Sequence, residues 1–396
     1  MSNRRKGSAL LFLLVILTVG AIGVWSERAS RYSLQILSIS EGRQVTGIEL
    51  NNFGHLAVSL KKGDQYENAF LWRPGRDPIE VCPECRQVFI QDLNDHDEMV
   101  GNYIGEDRKR RPFYWSESTG LVELSGGLMS ASSEDRDYIV PVAINNSHDI
   151  LLNIYSVSLM EGYGRSNLED GIGPGGKVYH DPIGGYIRSG TIEEFSFWKA
   201  FDDLGFALNN EGWALGRDGK QTALLGDRER IVLFQDEPGK VSHHVETLTD
   251  SGVVYFFDRS RGKSHVKFWK QGEENLIVDF DDPSGVRVLD SNGYRHCLVF
   301  VREDSTRYQI LRWLEKQGMK RNWLPTIARE WFKTASVESN FLFDGKTLIE
   351  VERLTDLPRG TRLEWAGGLN DAGQIAACGR VGEEPAVLLL SPRERS

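Results

Sequence analysis

Past residue 40 the apolar residues come in short runs, and the same polar punctuation breaks them repeatedly. An apolar residue is followed by one or two Asn or Asp and then, often, by Gly. The copies are Leu50-Asn51-Asn52-Phe53-Gly54, Leu93-Asn94-Asp95-His96-Asp97, Ile144-Asn145-Asn146-Ser147-His148 and Leu208-Asn209-Asn210-Glu211-Gly212. They continue as Leu248-Thr249-Asp250-Ser251-Gly252, Leu289-Asp290-Ser291-Asn292-Gly293 and Leu369-Asn370-Asp371-Ala372-Gly373. The steps between copies are 43, 51, 64, 40, 41 and 80 residues, so the short steps set a period near 40 and the last leaves room for one degenerate unit. A second element keeps register with the first: Ala69-Phe70-Leu71-Trp72 begins 19 residues after Leu50, and Pro112-Phe113-Tyr114-Trp115 begins 19 after Leu93. Lys267-Phe268-Trp269 holds this place in the fifth copy, and Ser196-Phe197-Trp198 in the third after an insertion.

Each unit reads as four short strands, which in the first copy are roughly Gln44–Leu50, His55–Leu60, Asn68–Arg73 and Ile79–Cys82. Asn, Asp and Gly between them tolerate the left-handed backbone of tight hairpins. No long amphipathic helical stretch interrupts the pattern; one short candidate lies at Ile327–Thr334. Four strands per unit, repeated about seven times, predict an all-β protein: a β-propeller of about seven four-stranded blades over residues 31–396, with a stacked solenoid as the rival. Ser33–Ile39 is strand-like and precedes the first copy, where it can close the ring against the last blade.

The N-terminus differs. Arg4, Arg5 and Lys6 precede Ala9 to Trp25, an apolar run with a single polar residue, Thr18. As a helix, this run spans about 26 Å, close to the roughly 30 Å of a hydrocarbon core. Residues 1–30 therefore read as one transmembrane anchor helix or a cleaved signal, with the basic cluster cytoplasmic. Either way the remainder lies outside the cytoplasm. The favoured placement is the inner membrane, single-pass with a periplasmic or extracellular C-terminal domain, and the other is secretion after cleavage.

The net charge of -10 becomes -13 without residues 1–30, which carry Arg4, Arg5, Lys6 and Arg28 against Glu27. That balance argues against a nucleic-acid partner. Four cysteines are too few for a disulfide scaffold.

The stretch Gly368-Leu369-Asn370-Asp371-Ala372-Gly373-Gln374-Ile375-Ala376, ending in Ala386-Val387-Leu388-Leu389, resembles the HAF-repeat family of bacterial extracytoplasmic proteins. That repeat reads roughly I-N-D-x-G-Q-I-V-G and then H-A-F-L-W. Ala69 to Trp72, Leu208 to Gly216 and Met99-Val100-Gly101 also fit, whereas Val254 and Cys297 stand where small residues are expected. No copy has His before its Ala-Phe. The resemblance implies a propeller-like, secreted or surface protein and carries no catalytic residues.

Candidate chemistry is sparse. Cys82-Pro83-Glu84-Cys85 has CxxC spacing but no second pair in its own unit for zinc, which leaves a local disulfide, two free thiols or a redox pair. Gly171 to Val178 imitates a P-loop but lacks Ser or Thr after Lys177. Asp92, Asn94, Asp95, Asp97 and Glu98 crowd one turn, and Asp279, Asp281 and Asp282 another. The spacing fails the calcium-loop pattern, so solvated turns are expected. His243-His244 would point to opposite faces of a strand. The Trp series (Trp72, Trp115, Trp198, Trp269) reads as core between blades, with a sugar platform as the alternative. No metal or cofactor is expected.

The insertion at 156–190 carries Tyr163, Arg165, Tyr179, His180, Asp181, Tyr186 and Arg188. Tyr and Arg favour binding hot spots, so these are the candidate partner-binding residues, against the plainer reading of a Gly-rich loop. Function then divides. One reading is a binding or scaffold module for a cell-envelope protein or glycan. The other is a propeller enzyme of glycoside hydrolase or lyase type acting on envelope polysaccharide, recognisable by a carboxylate pair in an aromatic-lined funnel.

Overall fold

The fold is taken from a computed structural model. It describes residues 31–393 except 39–42, 125–137, 160–171, 174–176, 180–182, 189–195, 236–242, 282–284, 305–335 and a few single or paired turn residues. The N-terminal apolar run and the helix candidate at Ile327–Thr334 lie outside the described residues. Among those residues no α-helix occurs, and no helix is long and apolar enough to cross a membrane.

The described strands form seven four-stranded antiparallel sheets and one small three-stranded sheet. In chain order the seven span residues 43–80, 87–123, 138–201, 205–235, 243–281, 285–350 and 361–392, here sheets 1 to 7. The fourth strand of sheet 7 is Tyr32–Ser38, which pairs antiparallel with Glu384–Pro392, Tyr32 opposite Pro392 and Ser38 opposite Ala386. The chain's start thus completes the chain's last sheet, as the strand-like segment before the first copy led one to expect.

The first strand of each sheet packs beside the first strand of the next, and sheet 7 returns to sheet 1. This is a closed ring around one axis: a β-propeller. Period-two alternation holds it together. On the second strand of sheet 1, Leu56, Val58 and Leu60 face sheet 7 and pack with Val387 and Leu389. Ala57, one residue on, faces sheet 2 and packs with Val88 and Phe113. Sheet 5 repeats the device: Val254 and Phe256 join Leu215 of sheet 4, while Tyr255 and Phe257 join Val299 of sheet 6. Such strands are apolar on both faces because both are buried.

Three tryptophans of the series, Trp72, Trp115 and Trp269, are buried in these interfaces, which is the core reading. Trp198 is different. The third strand of sheet 3 is Ile183–Arg188, and Ser196–Phe201 is its outer fourth strand, so Trp198 does not hold the place of the other three. The double-length step also needs correction. Asp304 and Ser336 are directly paired at the ends of adjacent strands of sheet 6. The first strands of sheets 6 and 7 are neighbours on the axis, so no further unit stands between them.

Candidate functional site

The recurring Asn turns meet at one end of the axis. Each makes the same local structure: the Asn51 side-chain oxygen accepts from the backbone N–H of Phe53 and His55 at 3.1 and 3.0 Å. Its amide then donates across to the next sheet. The links run Asn51 to the Asn94 carbonyl at 3.1 Å, Asn94 to Asn145 at 3.0 Å, Asn145 to Asn209 at 3.1 Å and Asn209 to Thr249 at 3.0 Å. Asn292 donates to the Asn370 carbonyl and Asn370 to that of Asn51, both at 2.9 Å. Only the joint from sheet 5 to sheet 6 lacks an amide, because Thr249 stands there. Thr247 and Ser291 hydroxyls bond across it instead.

A second ring lies on the next residue of each turn. The backbone N–H of Asn52 donates to Asp95 at 2.8 Å, Asp95 to Asn146 at 2.9 Å, Asn146 to Asn210 at 2.7 Å and Asn210 to Asp250 at 2.8 Å. Gly293 donates to Asp371 at 2.8 Å, and Asp371 to Asn52 at 2.9 Å. Gly293 has no side chain to accept from Asp250, so the same joint is again the thin one. These residues also settle the phase of the sixth copy: Asn292, not Asp290, stands where Asn51 does, a shift of two from the sequence pattern.

The residue two before each ring Asn completes the channel. Around the axis this position holds Glu49, Asp92, Ala143, Ala207, Thr247, Asp290 and Gly368. Of these, Glu49, Asp92 and Asp290 line the channel on the axis. The resulting channel, about 280 Å³, has a polar wall formed by the turn residues of the two rings and six carboxylates: Glu49, Asp92, Asp95, Asp250, Asp290 and Asp371. Asp92 and Asp290 each join neighbouring sheets. Asp92 accepts from Leu93 N–H at 2.8 Å and Ile144 N–H at 2.7 Å; Asp290 accepts from Ser291 and Leu369 N–H, both at 2.7 Å. Burial nevertheless pushes Asp92 up to about 6 and Asp290 up to about 7. Glu49, one methylene longer, makes no hydrogen bond among the described residues. Burial, with Asp92 and Asp290 close by, raises its pKa well above the ordinary value.

Three turns carry a non-Gly residue in the left-handed region, Asp97, His148 and Arg295, at φ 61°, 63° and 66°. Each reaches back to the preceding sheet. Asp97 bonds His55 at 2.7 Å and Arg73 at 2.8 Å; His148 bonds Glu98 at 2.6 Å; Arg295 lies 5.9 Å over the Phe268 ring. The cross-sheet contact offsets a conformational cost of about 1 kcal/mol. Asp97 also accepts from the Asn51 amide at 2.9 Å, so Asp97→Ala keeps the strain and loses all three contacts, whereas Asp97→Gly loses the contacts and the strain. Urea unfolding is expected to show Asp97→Ala less stable than Asp97→Gly by about 1 kcal/mol.

The Asp92 to Glu98 group is therefore not a solvated turn. Asn94 and Glu98 are buried, and Tyr114 donates to Glu98 at 2.6 Å. The turn is the hub of sheets 1 to 3. At the mouth, the tips of two turns present Phe53 and Tyr294, which are 68% and 69% exposed.

No family model matches the chain, and no curated protein does. Among solved structures it is similar to YCF48 from Cyanidioschyzon merolae at 9% identity and a TM-score of 0.45, over 91% of this chain and 99% of that one. It is similar to the WD40 domain of Toxoplasma gondii coronin at 10% identity and a TM-score of 0.44, over 93% and 88%. A puromycin-hydrolyzing peptidase of Mycobacterium tuberculosis matches at 8% identity and a TM-score of 0.48, over 92% of this chain and 52% of that one. Likenesses this distant say nothing of ligand or activity.

Of the residues picked from the insertion, three lie on described strands of two different sheets. Tyr179 lies on the three-stranded sheet built from 157–159, 172–173 and 177–179. Tyr186 and Arg188 belong to the third strand of sheet 3 itself, opposite Trp198 and Ser196. Tyr163, Arg165, His180 and Asp181 lie outside the described residues. Cys82 and Cys85 form a disulfide, Cα–Cα 5.3 Å, closing a turn after sheet 1, and Cys297 and Cys378 are separate buried thiols. Among the described residues no group of His, Cys, Asp and Glu is arranged to hold a metal ion.

Proposed function

We propose that this protein is a membrane-tethered, extracytoplasmic β-propeller that binds a protein or glycan partner in the cell envelope through the turn-bearing end of its axis. The observation that carries this is the pair Phe53 and Tyr294. Large aromatic side chains this exposed, on turns otherwise fixed by two rings of hydrogen bonds, give a rigid rim over a polar channel. The tether rests on the apolar run behind Arg4, Arg5 and Lys6, and the compartment on that run together with the Cys82–Cys85 disulfide. The enzyme reading is less well supported. Asp92 and Asp290 are each clamped by two backbone N–H groups, and the channel wall contains no aromatic side chain.

The test is retention from envelope extracts. Full-length protein is expected to hold a partner that Phe53→Ala/Tyr294→Ala loses by tenfold or more, on the order of two hot-spot contacts. Equal retention by both proteins contradicts the assignment of the face.

A further inference from the structure

We infer that the mouth of the propeller faces the membrane it is tethered to, and that its partner is an integral membrane protein whose short outward-facing loops meet the rim. The inference deepens the binding reading and rests on its tether.

The direction of the strands carries it. Arg43–Leu50 runs into Asn51 and Thr361–Leu369 into Asn370, so first strands end at the mouth. Two antiparallel steps on, Glu384–Pro392 runs the same way as Thr361–Leu369. Tyr32–Ser38 pairs antiparallel with Glu384–Pro392, so it starts at the mouth and ends at the far end. The Tyr32 hydroxyl accordingly reaches the mouth turn, 3.9 Å from where a Cβ on Gly373 would stand. This starting point is fixed. Tyr32 N–H donates to the Leu354 carbonyl at 3.0 Å, the Thr355 hydroxyl donates to the Tyr32 carbonyl at 3.0 Å, and Arg393 N–H donates to the Arg31 carbonyl at 2.9 Å.

The tether is short. Only residues 26–31 separate Trp25, the last of the apolar run, from Tyr32. Those seven steps reach at most about 25 Å. Tyr32–Ser38 is itself about 23 Å long. With the far end toward the bilayer, the tether would spend about 23 Å running back along that strand and keep about 2 Å for the approach. With the mouth toward the bilayer it spends none.

The same length selects the partner. A small folded domain is roughly 30 Å across and does not fit beneath a rim held within about 25 Å of the bilayer, whereas the loops of a membrane protein do. Lipid is the poorer occupant, because the mouth turns carry Asp95, Glu211, Asp250 and Asp371 against Arg295, and an anionic headgroup layer repels them. Phe53 and Tyr294 are the contacts offered to the loops.

The experiment reads orientation first. The full chain is reconstituted in vesicles with acceptor dye in the headgroup layer and donor dye on Glu211→Cys at the mouth or Glu383→Cys at the far end. Energy transfer is expected to be about twofold or more stronger from Glu211→Cys, the two sites being about a strand length apart. Inserting a flexible segment of about 20 Gly and Ser residues after Ser30 should erase the difference. Equal or reversed transfer in the unlengthened chain, or failure of the chain to float with the vesicles, overturns the inference. Partner class is read by placing a photo-crosslinking phenylalanine at position 53 or 294 in native membranes. An adduct with a membrane-spanning protein is expected; an adduct with lipid or with a soluble protein, or no adduct, overturns that assignment. If Phe53→Ala/Tyr294→Ala still loses the envelope partner while transfer is equal from both ends, the orientation fails alone. If the variant retains the partner, the binding face fails with it.

Discussion

Asn370→Ala is expected to destabilise the protein by about 3–5 kcal/mol, measured by urea unfolding followed by circular dichroism. Asn370 is buried at 3% exposure and closes the ring. Its amide donates to the Asn51 carbonyl at 2.9 Å and to Gln374 at 2.7 Å, and its oxygen accepts from Gln374 N–H at 2.9 Å. Alanine leaves those groups buried and unpaired, where each costs about 1–3 kcal/mol. The chain contains its own control. Thr249 occupies this place in sheet 5, where its hydroxyl still accepts from Val253 N–H at 3.1 Å but, among the described residues, makes no bond to the ring residue of sheet 6. Asn370→Thr should therefore fall between wild type and alanine. A cost below about 1 kcal/mol for Asn370→Ala would mean that the apolar interfaces alone hold the ring.

The second large effect is on pH. Asp92, Asp290 and Glu49 hold protons more tightly in the folded channel than in the unfolded chain, where such groups titrate near 4. The folded state then binds more protons, and stability falls as pH rises. The contribution is complete below about pH 4 and is lost as pH passes through 6 to 7. Asp107 and Asp344 act in the opposite sense: backbone N–H donors hold both below the ordinary carboxylate range, so their contribution is lost under strong acid. The net expectation is a stability decline on the order of a few kcal/mol between about pH 5 and pH 8. Glu49→Gln removes one charge that the channel disfavours, and Glu49 makes no hydrogen bond among the described residues, so the variant should be more stable at pH 8 and flatten the profile. A profile rising toward pH 8 would contradict the carboxyl arrangement.

Much of the architecture is legible in the residues. Asn-Asp-Gly turns recurring near 40 residues, with an aromatic run 19 residues on, carry enough redundancy to mark the repeat, and alternation places the tryptophans in the interfaces. Ser33–Ile39 announces the closing strand because nothing else at that end has strand chemistry. What fails does so for local reasons. Leu289-Asp290 mimics Leu50-Asn51 closely enough to hide a shift of two, and Ser196–Trp198 mimics a third strand that is really Ile183–Arg188. The channel is least legible. Glu49, Asp92 and Asp290 are far apart in sequence, and among 57 acidic residues nothing singles them out until the copies are aligned on the ring Asn. That column, two residues before the Asn, holds three acids among Ala, Thr and Gly, a signal that a correct phase would have exposed.

The most direct test of the account is hydrogen exchange on the full chain with its captured partner. Protection is predicted in the turns 51–55, 292–296 and 370–374, which form the mouth. Protection confined to the opposite-end turns at 105–109 and 381–384, or to 156–190, would contradict it.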